Sequence, residues 1–158
     1  MCMKCLYHHP SGLTLIELLV SMTILSILAA GILPLSQMTY KRTRELELRQ
    51  NLRVIRKAID QYKQLVDEKK IEVEASSSGY PETLEILVRG VEVESGPIPV
   101  KMKFLRRIPG DPMVEDGEWG LRSYSDDYQS EIWGGQDVYD VYSKSDRQAL
   151  DGSNYKDW

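Results

Sequence analysis

Apolar positions along the chain follow three successive patterns. Leu13 to Leu35 is an almost unbroken apolar run, LTLIELLVSMTILSILAAGILPL, in which Glu17 is the one charge. At about 1.5 Å of rise per residue, a helix of this length reaches across the ~30 Å hydrocarbon core of a bilayer. The run therefore predicts a transmembrane helix over 13–36. Leu48, Leu52, Ile55, Ile59, Tyr62 and Val66 then recur at spacings of four and three among charged residues. Such a single apolar stripe predicts an amphipathic stem helix over 37–70. Neither proline nor glycine interrupts Gln37 to Val73. The two helices are expected to run on as one, bent at Pro34, where one backbone hydrogen bond is lost and the ring crowds the preceding turn.

The third pattern covers 71–158. A break at Ser76-Ser77-Ser78-Gly79 precedes Tyr80 to Val88, which reads as a short helix with Pro81 in its first turn and Gly90 at its end. The stretch to Met113 is rich in proline and glycine and is expected as loop. Trp119–Ser125 and Asp137–Ser143 alternate with period two and favour aromatic and β-branched residues. They predict two antiparallel strands joined around Gly134-Gly135. The expected fold class is α+β, a long N-terminal helix packed on a small antiparallel sheet.

Composition then narrows the function. The 158 residues are 28% charged and 42% apolar, with net charge −4, which argues against a general nucleic-acid binder. The charge is unevenly spread. Tyr40–Lys70 carries ten basic and five acidic residues, and Ile71–Trp158 nine basic and eighteen acidic. A basic amphipathic helix of this kind can bind anionic lipid or nucleic acid, present a solvated face, or meet an acidic surface on another copy. Cys2, Cys5, His8 and His9 are the only cysteines and histidines. Removal of residues 1–12 would take cysteine nucleophiles, histidine bases and Cys/His metal sites with it. Cys2 and Cys5 are also open to a redox or lipidation reading.

Residues 1–12, MCMKCLYHHPSG, form a polar leader whose firm positive charge is Lys4. A secretory signal is cut after its apolar stretch, next to small residues. Here the small residue, Gly12, precedes the stretch, and Lys41, Arg42 and Arg44 follow it, so the apolar run is expected to be retained. Glu17 is costly in lipid unless paired, which marks it as functional. An amine on Leu13, freed by a cut after Gly12, is a natural partner, and the geometry is better between neighbouring chains than within one.

Gly12-Leu13-Thr14-Leu15-Ile16-Glu17-Leu18-Leu19-Val20 resembles the cleavage and methylation motif of type IV prepilins and pseudopilins, with Leu13 where phenylalanine is commonest. The resemblance implies a prepilin peptidase that cuts after Gly12 and methylates the Leu13 amine. It also implies that Glu17 serves assembly and that Pro34 kinks the helix. Tyr80-Pro81, then Phe104-Leu105-Arg106-Arg107-Ile108-Pro109-Gly110-Asp111-Pro112, Val141-Tyr142-Ser143 and Trp158, are similar to the type II secretion major pseudopilin, the G-type family. In that family the loop before the last tryptophan holds a calcium ion. The corresponding oxygens here are Ser145, Asp146, Asp151, Asn154 and Asp157, although Arg147 and Lys156 stand beside them and the family's run of glycines and adjacent aspartates is missing.

No phosphate loop, nucleophile elbow or catalytic set occurs. Asp126-Asp127 and Asp111, Glu115 and Asp116 read as solvated turns before an acid/base pair. The expectation is a non-enzymatic subunit of a homopolymeric periplasmic pseudopilus, anchored in the bacterial inner membrane by a single pass with its head in the periplasm. The resemblance implies minor pseudopilins, an inner-membrane platform with a cytoplasmic ATPase, and an outer-membrane secretin as partners, and no nucleic acid. The alternatives are a surface pilin for adhesion, motility or DNA uptake, and a membrane-tethered binding domain that never polymerises. The missing C-terminal disulfide loop favours the pseudopilin.

Overall fold

The computed structural model describes Gly12 and residues 14–74, 76–94 and 98–158, without the side chains of 31–35. It divides into two compact units at Tyr40/Lys41. The first contains the start of α1, which runs Leu15–Asp67. Thr14 caps that helix: its carbonyl accepts from the Leu18 N–H at 3.1 Å, and its hydroxyl from the Glu17 N–H at 3.3 Å.

In the second unit the stem stripe becomes the core. Leu48, Leu52, Ile55, Ile59 and Tyr62 are buried against Leu84, Leu87, Val138, Val141 and Tyr155, so the four-and-three spacing placed the apolar face correctly. The helix stops at Asp67, short of the expected Lys70. Lys69 there adopts φ 56°, and the Lys69 and Lys70 N–H groups reach back to the Val66 and Leu65 carbonyls, which closes the C-terminus with a left-handed residue.

The second helix, α2, spans Leu84–Arg89, four residues later than expected. Pro81 is not in its first turn. It is buried in an extended segment, where its carbonyl accepts from the Val138 N–H at 2.7 Å. This long-range bond within the chain thus holds Tyr80–Pro81 out of the helix. Gly90 ends α2 at φ 80°, as expected.

Two two-stranded sheets replace the single expected one. Strand β1 (Val91–Val93) pairs antiparallel with β2 (Val100–Met102) inside the stretch expected as loop. The proline signals there mark the connection and the strand entry at Pro99, not an absence of strands. Strand β3 (Trp119–Arg122) pairs with β4 (Asp140–Ser143), shorter than Trp119–Ser125 and Asp137–Ser143 but in the expected antiparallel sense. The ladder ends where side chains capture its backbone groups. Asp137 accepts from the Tyr124 N–H at 2.8 Å, and Asp126 from the Ser123 N–H at 2.7 Å. Gly120 faces Tyr142 across this ladder, and a Cβ there would stand 2.2 Å from the Tyr142 ring. The ring occupies the space a side chain would need, and Arg122 covers it at 4.1 Å. A short 3-10 turn, Tyr155–Asp157, closes the tail. The observed class is α+β, compatible with a pilin fold.

Candidate functional site

The N-terminal motif comes first. Gly12 is exposed. Leu13, Cys2, Cys5, His8 and His9 lie outside the described residues. Glu17 falls in the first turn of α1, three residues after the Thr14 cap. This is the position where an acid is favoured by the unpaired N–H groups and the helix dipole. The Thr14 capping role is legible as T-x-x-E, although sequence reasoning had singled out only Glu17.

The surface that follows is apolar on every side. Leu15 is 77% exposed and Ile27 74%, and seven further apolar residues between them are also open. Its few hydroxyls turn inward: Ser21 donates to the Glu17 carbonyl at 2.7 Å, Thr23 to Val20 at 2.8 Å and Ser26 to Met22 at 2.8 Å. No side-chain donor among these three needs water, which suits an apolar surrounding. An uninterrupted apolar circumference demands cover by lipid or by other helices. Among the described residues no helix is long and apolar enough to cross a membrane. Leu13 and the side chains of 31–35, part of the expected span, lie outside them, and so does the Pro34 side chain; α1 is continuous through that position.

A second constellation joins stem and tail within the Lys41–Trp158 unit. Arg56 donates to both Asp140 carboxylate oxygens at 2.7 and 3.2 Å, to the Val141 carbonyl at 3.1 Å and to the Trp158 carbonyl at 2.8 Å. Arg49 meets Asp151 at 3.0 Å and covers the Trp158 ring at 4.0 Å. Buried Glu45 accepts from the Tyr155 hydroxyl at 2.9 Å and from the Leu150 N–H at 2.8 Å, on one oxygen. Burial, and then the bond to Glu45, pushes the Tyr155 hydroxyl up to about 12. Part of the stem's positive charge is thus neutralised within its own chain. Glu45, Arg56 and Tyr155 were not foreseen; an acid at i−3 from Leu48, on the apolar face, was the available signal.

The expected calcium ligands are held apart by protein partners. Asp146 is engaged by Lys156 at 2.8 Å, and Lys156 also reaches Glu131 at 2.8 Å. These two carboxylates push the Lys156 ammonium well above its ordinary range, and Lys156 lowers Asp146 in turn. Asp151 accepts from the Ser153 hydroxyl and N–H and from Arg49. Asp157 accepts from the Asn154 amide at 3.1 Å. Ser145 is buried, and its hydroxyl accepts from Arg147. Arg147 also donates to the Met113 carbonyl. Among the described residues no three carboxylate, histidine or cysteine side chains converge as a metal set. As placed, this loop does not fit a calcium ion, which needs six to eight oxygens.

Asp111 and Asp126, two of the remaining acids, are engaged by backbone N–H groups. Asp111 is 2% exposed, not solvated as expected, and accepts from the Met113 N–H at 2.7 Å. Asp126 is held below the usual carboxylate range by the Ser123 and Gly134 N–H groups.

A family profile described as "Prokaryotic N-terminal methylation motif" matches residues 8–33. No curated protein matches the chain. No solved structure matches it either. The matched segment contains Gly12, Leu13 and Glu17. It supports a type IV pilin-like protein, processed by a prepilin peptidase and polymerised into a fibre.

Proposed function

We propose that this chain is a structural subunit, not an enzyme, of a periplasmic pseudopilus that serves type II protein secretion. The carrying observation is the methylation motif matched at 8–33, with Glu17 five positions beyond Gly12 and in the first turn of a helix whose opening turns are otherwise apolar on the surface.

The mechanism follows from charge and solvation. Cleavage after Gly12 creates an amine on Leu13, four residues before the Glu17 carboxylate. In lipid each ion alone is expensive, by several kcal/mol. Two copies staggered along the helix axis bring the amine of one to the carboxylate of the next, and both penalties fall together. The pairing has a direction, so the resulting filament has a polarity. The apolar circumference of residues 15–28 then passes from lipid contact to helix contact. Minor pseudopilins, an inner-membrane platform with its ATPase, and a secretin would be the partners, with the head on the periplasmic side.

Glu17→Gln tests this. The variant should still be cleaved and membrane-bound, while pelletable polymer falls by at least about tenfold, the loss of one ion pair worth 1.4 kcal/mol or more. Normal polymer yield from Glu17→Gln would refute the pairing, and wild-type chain that stays monomeric in cells would refute the filament.

A further inference from the structure

The Lys41–Trp158 unit carries an open cleft of about 730 Å³ between the segment after α1 and the β3–β4 connection. Its acidic lining is Glu72, Glu74, Glu82 and Asp137, and its basic lining is Arg89. Glu72, Glu74 and Glu82 are exposed, and no ion pair among the described residues involves them. The aromatic wall is Tyr80, stacked on Tyr124 at 5.7 Å, with Tyr139 edge-on at 5.0 Å. Tyr80 already attracts one cation, the Lys63 ammonium at 5.5 Å. Carboxylates beside tyrosine rings, of which Tyr124 is 63% exposed, select guanidinium and ammonium groups, by charge and by cation–π attraction.

The same chain displays the complement elsewhere. At about 100° per residue, Arg42, Leu46, Arg53 and Lys57 stand on the side of α1 opposite the buried stripe. All four are exposed, and Leu46 is 61% open. Arg53 reaches only its own helix, the Arg49 carbonyl, and Lys57 enters no ion pair among the described residues. Asp60, at the edge of this face, is its one acid in reach.

We propose that the cleft of one copy takes the basic outer face of α1 from a second copy, with Arg53 and Lys57 entering between Glu72, Glu74 and the Tyr80–Tyr124 wall. Cleft and stem face are different patches, so the contact is heterologous and adds subunits without closing a dimer. The inference rests on the filament reading and gives it a second, periplasmic contact besides Glu17.

Charge reversal tests it in the full-length, membrane-inserted chain. Glu72→Lys with Glu74→Lys makes both patches basic; Arg53→Glu with Lys57→Glu makes both acidic. Each double variant alone should lose at least about tenfold of its pelletable polymer, because like charges meet at every contact. Co-expression of the two should restore polymer to within a few-fold of wild type, since each cleft then finds an opposite stem. Misfolded variants could not rescue each other. Raising salt should weaken wild-type cohesion. Polymer yield unchanged by either reversal, or loss without rescue on co-expression, overturns the cleft contact and leaves the filament standing. Wild-type chain that never polymerises overturns the filament reading and this contact with it.

Discussion

Replacing Arg56 by methionine tests how the stem holds the head. Methionine keeps an unbranched apolar stem of comparable reach but removes every donor. Arg56 makes two bonds to Asp140 and one each to the Val141 and Trp158 carbonyls. A bond to a charged group contributes about 1.5–3 kcal/mol when desolvated. The Arg56 and Asp140 side chains are 37% and 25% exposed, so screening leaves about 1 kcal/mol for the pair. The two carbonyls each lose about 1 kcal/mol when their donor goes. The sum, about 3 kcal/mol, corresponds to a fall of roughly 10 °C in Tm for a unit of this size. The assay is a near-UV circular dichroism melt of the full-length chain in detergent. A double-mutant cycle with Asp140→Asn should return a coupling of about 1 kcal/mol. A Tm within 2 °C of wild type, or zero coupling, would show that this clamp does not hold the tail to the stem.

Four further outcomes are expected. Gly120→Ala should destabilise by about 1–3 kcal/mol in the same melt, because its Cβ would stand only 2.2 Å from the Tyr142 ring; an unchanged Tm would refute that packing. Lys69→Gly should stabilise by about 1 kcal/mol, since Lys69 holds φ 56° at a helix end where glycine carries no Cβ penalty, and a fall in Tm would contradict it. The Tyr155 hydroxyl is raised to about 12 from 10, so its neutral form is favoured by folding. That stability is complete below pH 10 and is lost as pH rises from 10 toward 12, and Tyr155→Phe should flatten the loss in pH-dependent melts. Excess chelator should leave Tm unchanged, because Lys156, Arg49 and Asn154 already engage Asp146, Asp151 and Asp157; a rise of several degrees on adding calcium would show that the loop rearranges around the ion.

What the sequence displayed depended on how far each interaction reaches along the chain. The stripe Leu48–Tyr62 and the β3–β4 alternation are local periodicities, and both reappear as core and ladder. The β1–β2 hairpin was hidden because three-residue strands carry too little periodicity to stand out beside Pro97 and Pro99. Tyr80–Pro81 was misplaced because its competing partner, the Val138 N–H, comes from a distant segment. Glu45–Tyr155 and Arg56–Asp140 join positions 110 and 84 residues apart. The family resemblance implied calcium in the tail loop; Arg49, which meets Asp151, lies in another element, and Lys156 bridges Asp146 to a third segment through Glu131. At the N-terminus the signal was local, since the glycine, cap and acid of the matched motif lie within six residues.

The most direct measurement is mass spectrometry of the mature N-terminus from assembled material. A chain that begins at Leu13 with a methylated amine is the predicted result. An intact Met1, or a cut beyond Leu35, would contradict a processed, self-assembling subunit.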